Sequence, residues 1–443
     1  MNRLKGKIGL FFALMLVTFT IAVGLKFNVI RQPIALNPPA RPIPATLFGL
    51  HIHHLVKKPS DLPQVTPWPS VEFGTWRLWD AHIGWLNLEK EKGQWQFDTL
   101  DRYLEIARER EVELLLPLGL SPKWASARPE EPSAYAPGAA AEPKNIEDWQ
   151  NYVRTVGTRY RGRLPYYEIW NEPNWKRFFT GSTEQMFELA REAHEILKPL
   201  DPEIAIVSPS ATDGKHGAAW LADYFALGGV DYSDIIGFHF YVGPGEGPED
   251  AIPVIQEVQQ VMSDYGVADK PLWNTEAGWL GDQPFEDPQT SVAYVARAYI
   301  LNWASGVERL YWYDWDFNPI VRLHLVKEDN KTLTPAGVAY GEIYDWLVGA
   351  RMDECHSDLR YTWTCQLTRD RDYQAWILWN PDRSSSFSVP EEWKVAQVRY
   401  LNGERRRFQG SKVEIGPTPI LLERTGDTLG DSRANAQSRF KSS

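Results

Sequence analysis

Between residues 47 and 347 short apolar runs alternate with longer amphipathic ones, and that alternation restricts the chain to parallel strands joined by helices. Eight runs read as strands: Leu47–His54, Gly74–Asp80, Glu113–Gly119, Tyr166–Glu172, Ile204–Ser210, Asp234–Tyr241, Pro271–Trp279 and Glu308–Asp316. Between them helical spacing appears over Leu100–Arg110, Ile146–Tyr160, Glu184–Leu197, Ile252–Tyr265, Val292–Ala304 and Pro335–Leu347, with Pro or Gly near several ends. Eight strands with crossovers in about 300 residues have the length and order of a (β/α)8 barrel, whose strands end at one common face. An open doubly wound sheet would carry a Gly-rich phosphate loop after its first strand, and this chain has none. After Gly349 the helical period stops, and Tyr361–Leu367, Tyr373–Trp379, Ala396–Leu401 and Val413–Leu422 read as short antiparallel strands. The expected fold is α/β: a (β/α)8 barrel over 46–349 followed by a small antiparallel β domain over 350–425.

The flanks carry other signals. Arg3, Lys5 and Lys7 precede an uncharged run from Ile8 to Leu25, the pattern of a secretory leader. No clear small-residue cleavage site follows, so residues 1–30 are expected to stay as a membrane anchor, with a removed signal peptide as the alternative. Residues 31–45 read as a Pro-rich linker and 426–443 as a disordered tail. The working part is therefore expected outside the cytoplasm, either anchored or secreted, with membrane contact through the N-terminal segment only. In that setting Cys355 and Cys365, the two cysteines of the chain, are expected to bridge neighbouring strands, with two buried free thiols as the alternative.

Composition narrows the partners. With 47 Lys and Arg against 58 Asp and Glu, the net charge of −11 gives no footprint for nucleic acid. Twenty Trp beside 19 Tyr and 18 Phe supply many large amphipathic rings, which suit sugar faces, although at least half are expected to fill the core. A carbohydrate is the expected partner, and no cofactor is called for. No Gly-x-Ser-x-Gly elbow, phosphate loop or His-Glu-x-x-His helix is present, so esterase, kinase and zinc-protease chemistry lack their parts.

Two segments carry the chemistry. In Tyr166-Tyr167-Glu168-Ile169-Trp170-Asn171-Glu172-Pro173-Asn174 a strand ends on an Asn-Glu pair, which puts Glu172 at the working face of strand four. In Leu272-Trp273-Asn274-Thr275-Glu276-Ala277-Gly278-Trp279, Glu276 takes the corresponding place on strand seven. A barrel can bring these two carboxyls together across its mouth, and two facing carboxyls point to glycoside cleavage. With these motifs the sequence resembles the clan A glycoside hydrolases, and within them family 39 and its relatives, over roughly residues 47–347. The resemblance implies a retaining β-glycosidase in which Glu172 is the acid and then the base, Glu276 the nucleophile, and Asn171 the holder of the sugar 2-hydroxyl. It also places Arg77, in Trp76-Arg77-Leu78-Trp79-Asp80, beside the nucleophile. Tyr241, closing Phe238-His239-Phe240-Tyr241, could serve the same carboxylate, and His239 is a candidate for substrate contact.

Trp124, Trp170, Trp175, Trp279, Trp312 and Trp315 stand at or just beyond strand ends, where an indole can cover a sugar face; Trp312 is expected to floor the catalytic subsite, with Trp279 next and Trp124 lining the cleft. His51, His53 and His54 raise a metal reading, but hydroxyl recognition by His53 or His51 is the expectation and no metal site is assigned. Transglycosylation by the same residues, or sugar binding without turnover, are the alternative functions.

Overall fold

The computed structural model describes residues 32–57, 64–279, 287–319, 321–369 and 372–424. The expected anchor at 1–30 and tail at 426–443 lie outside the described residues. Among the described residues no helix is long and apolar enough to cross a membrane.

Eight parallel strands form the barrel: β1 Phe48–His51, β2 Thr75–Arg77, β3 Glu113–Leu118, β4 Tyr166–Ile169, β5 Ala205–Val207, β6 Ile236–Phe238, β7 Leu272–Ala277 and β8 Val307–Trp312. Their order in the sheet is β5-β4-β3-β2-β1-β8-β7-β6. The gap between β5 and β6 is closed by isolated parallel bridges at Val207–Ile235 and Ala211–Phe238. The register sets Arg77 beside His51 and Leu50 beside Trp312.

Alternation along each strand decides what faces inward. At the end where the strands begin, Leu115, Val207, Ile235, Trp273 and Tyr311 fill the interior. The intervening residues, such as Trp76, Leu116, Tyr167 and Ile206, pack outward against the helices in the main core. Those helices include Asp98–Glu109, Ile146–Tyr160, Thr183–Leu200, Gly214–Ala226, Ile252–Asp264, Pro288–Ala304 and Pro335–Leu347. Thr183–Leu200 begins on a capping box made by Ser182 and Gln185, which satisfies donors that a helix start leaves open. Ten of the 20 Trp, among them Trp85, Trp149, Trp303 and Trp346, are fully buried, so much of the aromatic excess is core.

The β domain is built from β9 Arg351–Ser357, β10 Trp363–Arg369, β11 Tyr373–Trp379, β12 Ser385–Ser388, β13 Val395–Tyr400, β14 Arg405–Arg407, β15 Lys412–Ile415 and β16 Ile420–Arg424. The segment 413–422, read above as one strand, is two, parted at Gly416-Pro417 because proline cannot donate to a ladder. Cys355 and Cys365 are joined by a disulfide between directly opposed positions of β9 and β10. The stretch read as a spacer adds its own strand, Ala35–Leu36, to the edge at β9, and Ile43 donates to Ala350. Barrel and β domain meet through a buried link: Trp379 Nε1 donates to Glu249 (2.8 Å), whose carboxylate also pairs with Arg297 (3.0 Å).

Candidate active site

The mouth of the barrel holds a cleft of about 670 Å3, lined by Asn171, Glu172, Tyr241, Glu276 and Tyr313 together with Trp79, Asp80, Tyr135, Trp175 and Arg177. Two local departures from regular strand geometry aim the carboxylates into it. After β4 the backbone turns left-handed at Trp170 (φ 62°) and again at Glu172 (φ 45°), while Glu172 N–H donates to Ser210 O (2.9 Å). In β7, Trp273 faces the interior, Asn274 reaches outward to Asn302, and Thr275 returns inward to Glu168 and Ser210. Strict alternation would turn Glu276 out toward the helices. A register shift against β8 between Asn274 and Ala277 breaks the alternation, and Glu276 reaches the cleft.

Glu276 is held by two donors. Arg77 Nη1 gives to its Oε2 (2.9 Å) and the Tyr241 hydroxyl to its Oε1 (3.1 Å). Arg77 is fully buried and also bonds Glu168 (2.6 Å) and the Asn171 side-chain oxygen (2.7 Å), so one guanidinium fixes three side chains, two at the end of β4 and one on β7. Burial pushes its pKa down, but Glu168 and Glu276 outweigh burial and raise it, so it stays charged. Burial raises the Tyr241 hydroxyl well above its ordinary value, so it remains a donor.

Among the described residues Glu172 has no cationic hydrogen-bond partner at that range. His239 Nδ1 lies 2.9 Å from its Oε1, and burial lowers that imidazole to about 4, leaving it neutral. Burial raises Glu172 to about 7, with Arg77 pulling the other way. Burial raises Glu276 as well, and Arg77 again opposes it. The two carboxyls are coupled, and a single proton shared between them favours Glu172, because Glu276 takes the Arg77 and Tyr241 donors that stabilise the ionised form. Oxygens of Glu172 and Glu276 and a ring nitrogen of His239 lie within 4.8 Å of one another. By donor type this trio could hold a cation, yet the Arg77 guanidinium already stands against Glu276 as the positive charge.

Of the residues singled out from sequence, Glu172, Glu276, Asn171, Tyr241 and Trp175 line the cleft, and Arg77 and His239 lie directly behind them. Four others sit off its wall, as do Trp170 and Trp315, both fully buried. Trp312 is fully buried and stacks near Tyr299 (6.3 Å, 26°) on the helix 288–304, because strand alternation turns it outward and gives the cleft position to Tyr313. Trp279 packs edge-on against Tyr294, and the seven residues that follow it lie outside the described ones. His53 is covered by the Tyr313 ring (5.1 Å) and pairs with Asp314 (3.3 Å). Trp124 donates to Glu89 O (2.9 Å) and packs on Trp85.

Sequence reading missed Glu168, Asp80 and Tyr313. An acid inside an apolar strand was the available signal for Glu168, which is fully buried and faces Arg77. Asp80 adopts φ 62°, and the hydroxyls of Tyr135 (2.6 Å) and Tyr313 (2.9 Å) donate to its two oxygens. Nothing local in the sequence announces that meeting.

A family model, "Glycosyl hydrolases family 39", matches residues 76–321, more than half of the chain. A β-xylosidase of Geobacillus stearothermophilus is 22% identical over 230 residues, covering 46% of this chain and 45% of that enzyme; the chain thus spans less than half the length of that relative. In overall fold the chain is similar to a family 39 glycoside hydrolase from Bacteroides cellulosilyticus (TM-score 0.67, 18% identity, 80% of this chain and 76% of that one). It is similar as well to a family 39 β-xylosidase from Caulobacter crescentus (TM-score 0.62, 16% identity, 90% and 98%).

Proposed function

The chain belongs to the glycosyl hydrolases of family 39, and from that premise we propose that it is a retaining β-glycosidase, hydrolysing O-glycosidic bonds of an oligo- or polysaccharide by double displacement. The observation that carries this reading is the approach of the Glu172 and Glu276 oxygens to within 4.8 Å. Retaining enzymes set their carboxyls about 5–5.5 Å apart, while inverting ones leave roughly 6.5–9.5 Å for a water.

Ionised Glu276 attacks the anomeric carbon as Glu172 gives its proton to the glycosidic oxygen. The carbon–oxygen bond to the leaving group breaks, and a glycosyl ester forms on Glu276. Glu172, now a carboxylate, takes a proton from water; the water oxygen attacks the same carbon, the ester breaks, and both glutamates regain their starting states. Arg77 and Tyr241 keep Glu276 ionised and oriented, and Asn171, fixed by Arg77, offers its amide to the sugar beside the reacting carbon. Binding without turnover would need neither a raised proton donor nor a charged partner facing it.

The test is mechanism-based labelling. A panel of aryl β-glycosides, β-xylosides first because two similar proteins are β-xylosidases, identifies the sugar, and its 2-fluoro analogue is then used to trap the intermediate. Peptide mapping should find the adduct on Glu276; an adduct on another residue would overturn the assignment. Product chain length separates hydrolysis from transglycosylation. The Cys355–Cys365 disulfide supports work in an oxidising, extracytoplasmic compartment, which cell fractionation checks: recovery in the cytoplasm alone would refute it.

A further inference from the structure

The loop that carries Glu172 also carries an exposed ring pair that the two-glutamate chemistry does not use. Trp175 is 41% exposed, in a chain where ten Trp are fully buried. It lies parallel to Phe178 (3° between planes, centroids 6.3 Å apart), and both line the cleft with Glu172. The loop is braced on each side of the ring. Trp175 N–H donates to Glu172 O (2.9 Å), and Asn174 exchanges two hydrogen bonds with Thr212 (2.8 and 3.1 Å). Trp170 Nε1 donates to Phe178 O (2.7 Å), while Phe178 and Phe179 N–H both return to Trp175 O. The backbone that carries the indole is therefore held at a fixed place relative to the proton donor. Arg177, on the same loop and in the same cleft, makes no ion pair or side-chain hydrogen bond among the described residues.

Chemistry fixes what stands there. The atom that receives the Glu172 proton is the glycosidic oxygen, so the group attached to that oxygen lies next to Glu172, and the loop that carries Trp175 is one wall of that space. An indole face accepts the apolar C–H face of a pyranose, and Arg177 at its edge suits ring hydroxyls. We propose that Trp175, backed by Phe178, is the platform of a leaving-group subsite, and that the bond cleaved joins the glycone to a second β-linked pyranose and not to a small aglycone. The inference rests on the function proposed above and extends it by naming the leaving group.

Two substrates of one glycone separate the roles: a glycosyl fluoride, whose leaving group is a single atom, and the β-linked disaccharide. β-Xylosyl fluoride and β-1,4-xylobiose form the starting pair. In Trp175→Ala the kcat/KM ratio of disaccharide to fluoride should fall about tenfold or more, the scale of one lost apolar contact surface, and Trp175→Phe should recover most of it. As a second readout, reactivation of the 2-fluoro-glycosyl enzyme by added xylobiose should saturate in the unaltered chain and lose its saturation in Trp175→Ala. An unchanged ratio, or equal loss on both substrates, would overturn the subsite and leave the two-glutamate mechanism standing. No fluoride turnover by the unaltered chain would remove that mechanism and the subsite with it.

Discussion

Two arginines are buried inside the same barrel, one at each end, and they are satisfied in opposite ways. Arg309, near the start of the strands, lies 4.0 Å from the Trp273 ring and 4.5 Å from that of Tyr166, with Glu113 at 2.6 Å as its counter-ion. Arg77, at the other end, is satisfied by Glu168, Asn171 and Glu276, polar groups of the candidate machinery. One closes the floor by packing; the other orders the mouth by charge. The register of β7 against β8 shifts at both ends, between Leu272 and Trp273 and between Asn274 and Ala277, whereas the left-handed residues Asp80, Trp170 and Glu172 stand at the mouth. Such departures concentrate where surrounding structure aims a functional group.

The comparison breaks most visibly through Glu172. Its pKa is pushed up to about 7 by burial, and the acid must be protonated to act, so kcat/KM should fall as pH rises through about 7. Glu276 must be ionised, and burial raises it too, so activity should also fall on the acid side, above the range of an ordinary carboxylate. Glu172→Gln should lower kcat on unactivated glycosides by about 10²–10⁴-fold and abolish the basic limb. A pH profile that keeps that limb in the variant would assign it to another group.

The arginines themselves come next. Arg77→Ala strands Glu168 and Glu276 in the interior and should cost about 3–5 kcal/mol in chemical denaturation, with activity largely lost and the acidic limb displaced to higher pH. Arg309→Ala should cost about 2 kcal/mol through its cation–π contacts and leave kcat/KM unchanged. Equal effects of the two on the pH profile would erase the distinction between mouth and floor.

A smaller test pairs two tyrosines that each give one hydrogen bond to, or share one with, a charged group. Tyr241→Phe removes a donor from Glu276 (3.1 Å) and should slow turnover by about 10–100-fold. Tyr166→Phe removes the oxygen that accepts from Arg309 (3.0 Å) and should leave steady-state kinetics unaltered, with a stability change near 1 kcal/mol.

Legibility divides along the same line. Strand-forming runs and helical spacing carry the barrel, and at its floor the apolar residues Leu115, Trp273 and Tyr311 fall inside. Glu172 and Glu276 were readable from their place at strand ends. Parity alone fails in β7, where the shift turns Glu276 inward; along β8 it holds and gives the cleft to Tyr313 and not Trp312. Asp80 with its two tyrosines is a meeting of three separate loops, which no local pattern encodes. Trp124 shows the converse, an aromatic residue past a strand end that serves packing against Trp85.

The central claim is that two glutamates stand close enough for covalent catalysis, with no room for a water between nucleophile and sugar. Proton NMR of the first-formed sugar during cleavage of an aryl β-glycoside reads this directly, before mutarotation mixes the anomers. The β-anomer should appear first; initial release of the α-anomer would mean inversion and would contradict covalent catalysis by the two glutamates.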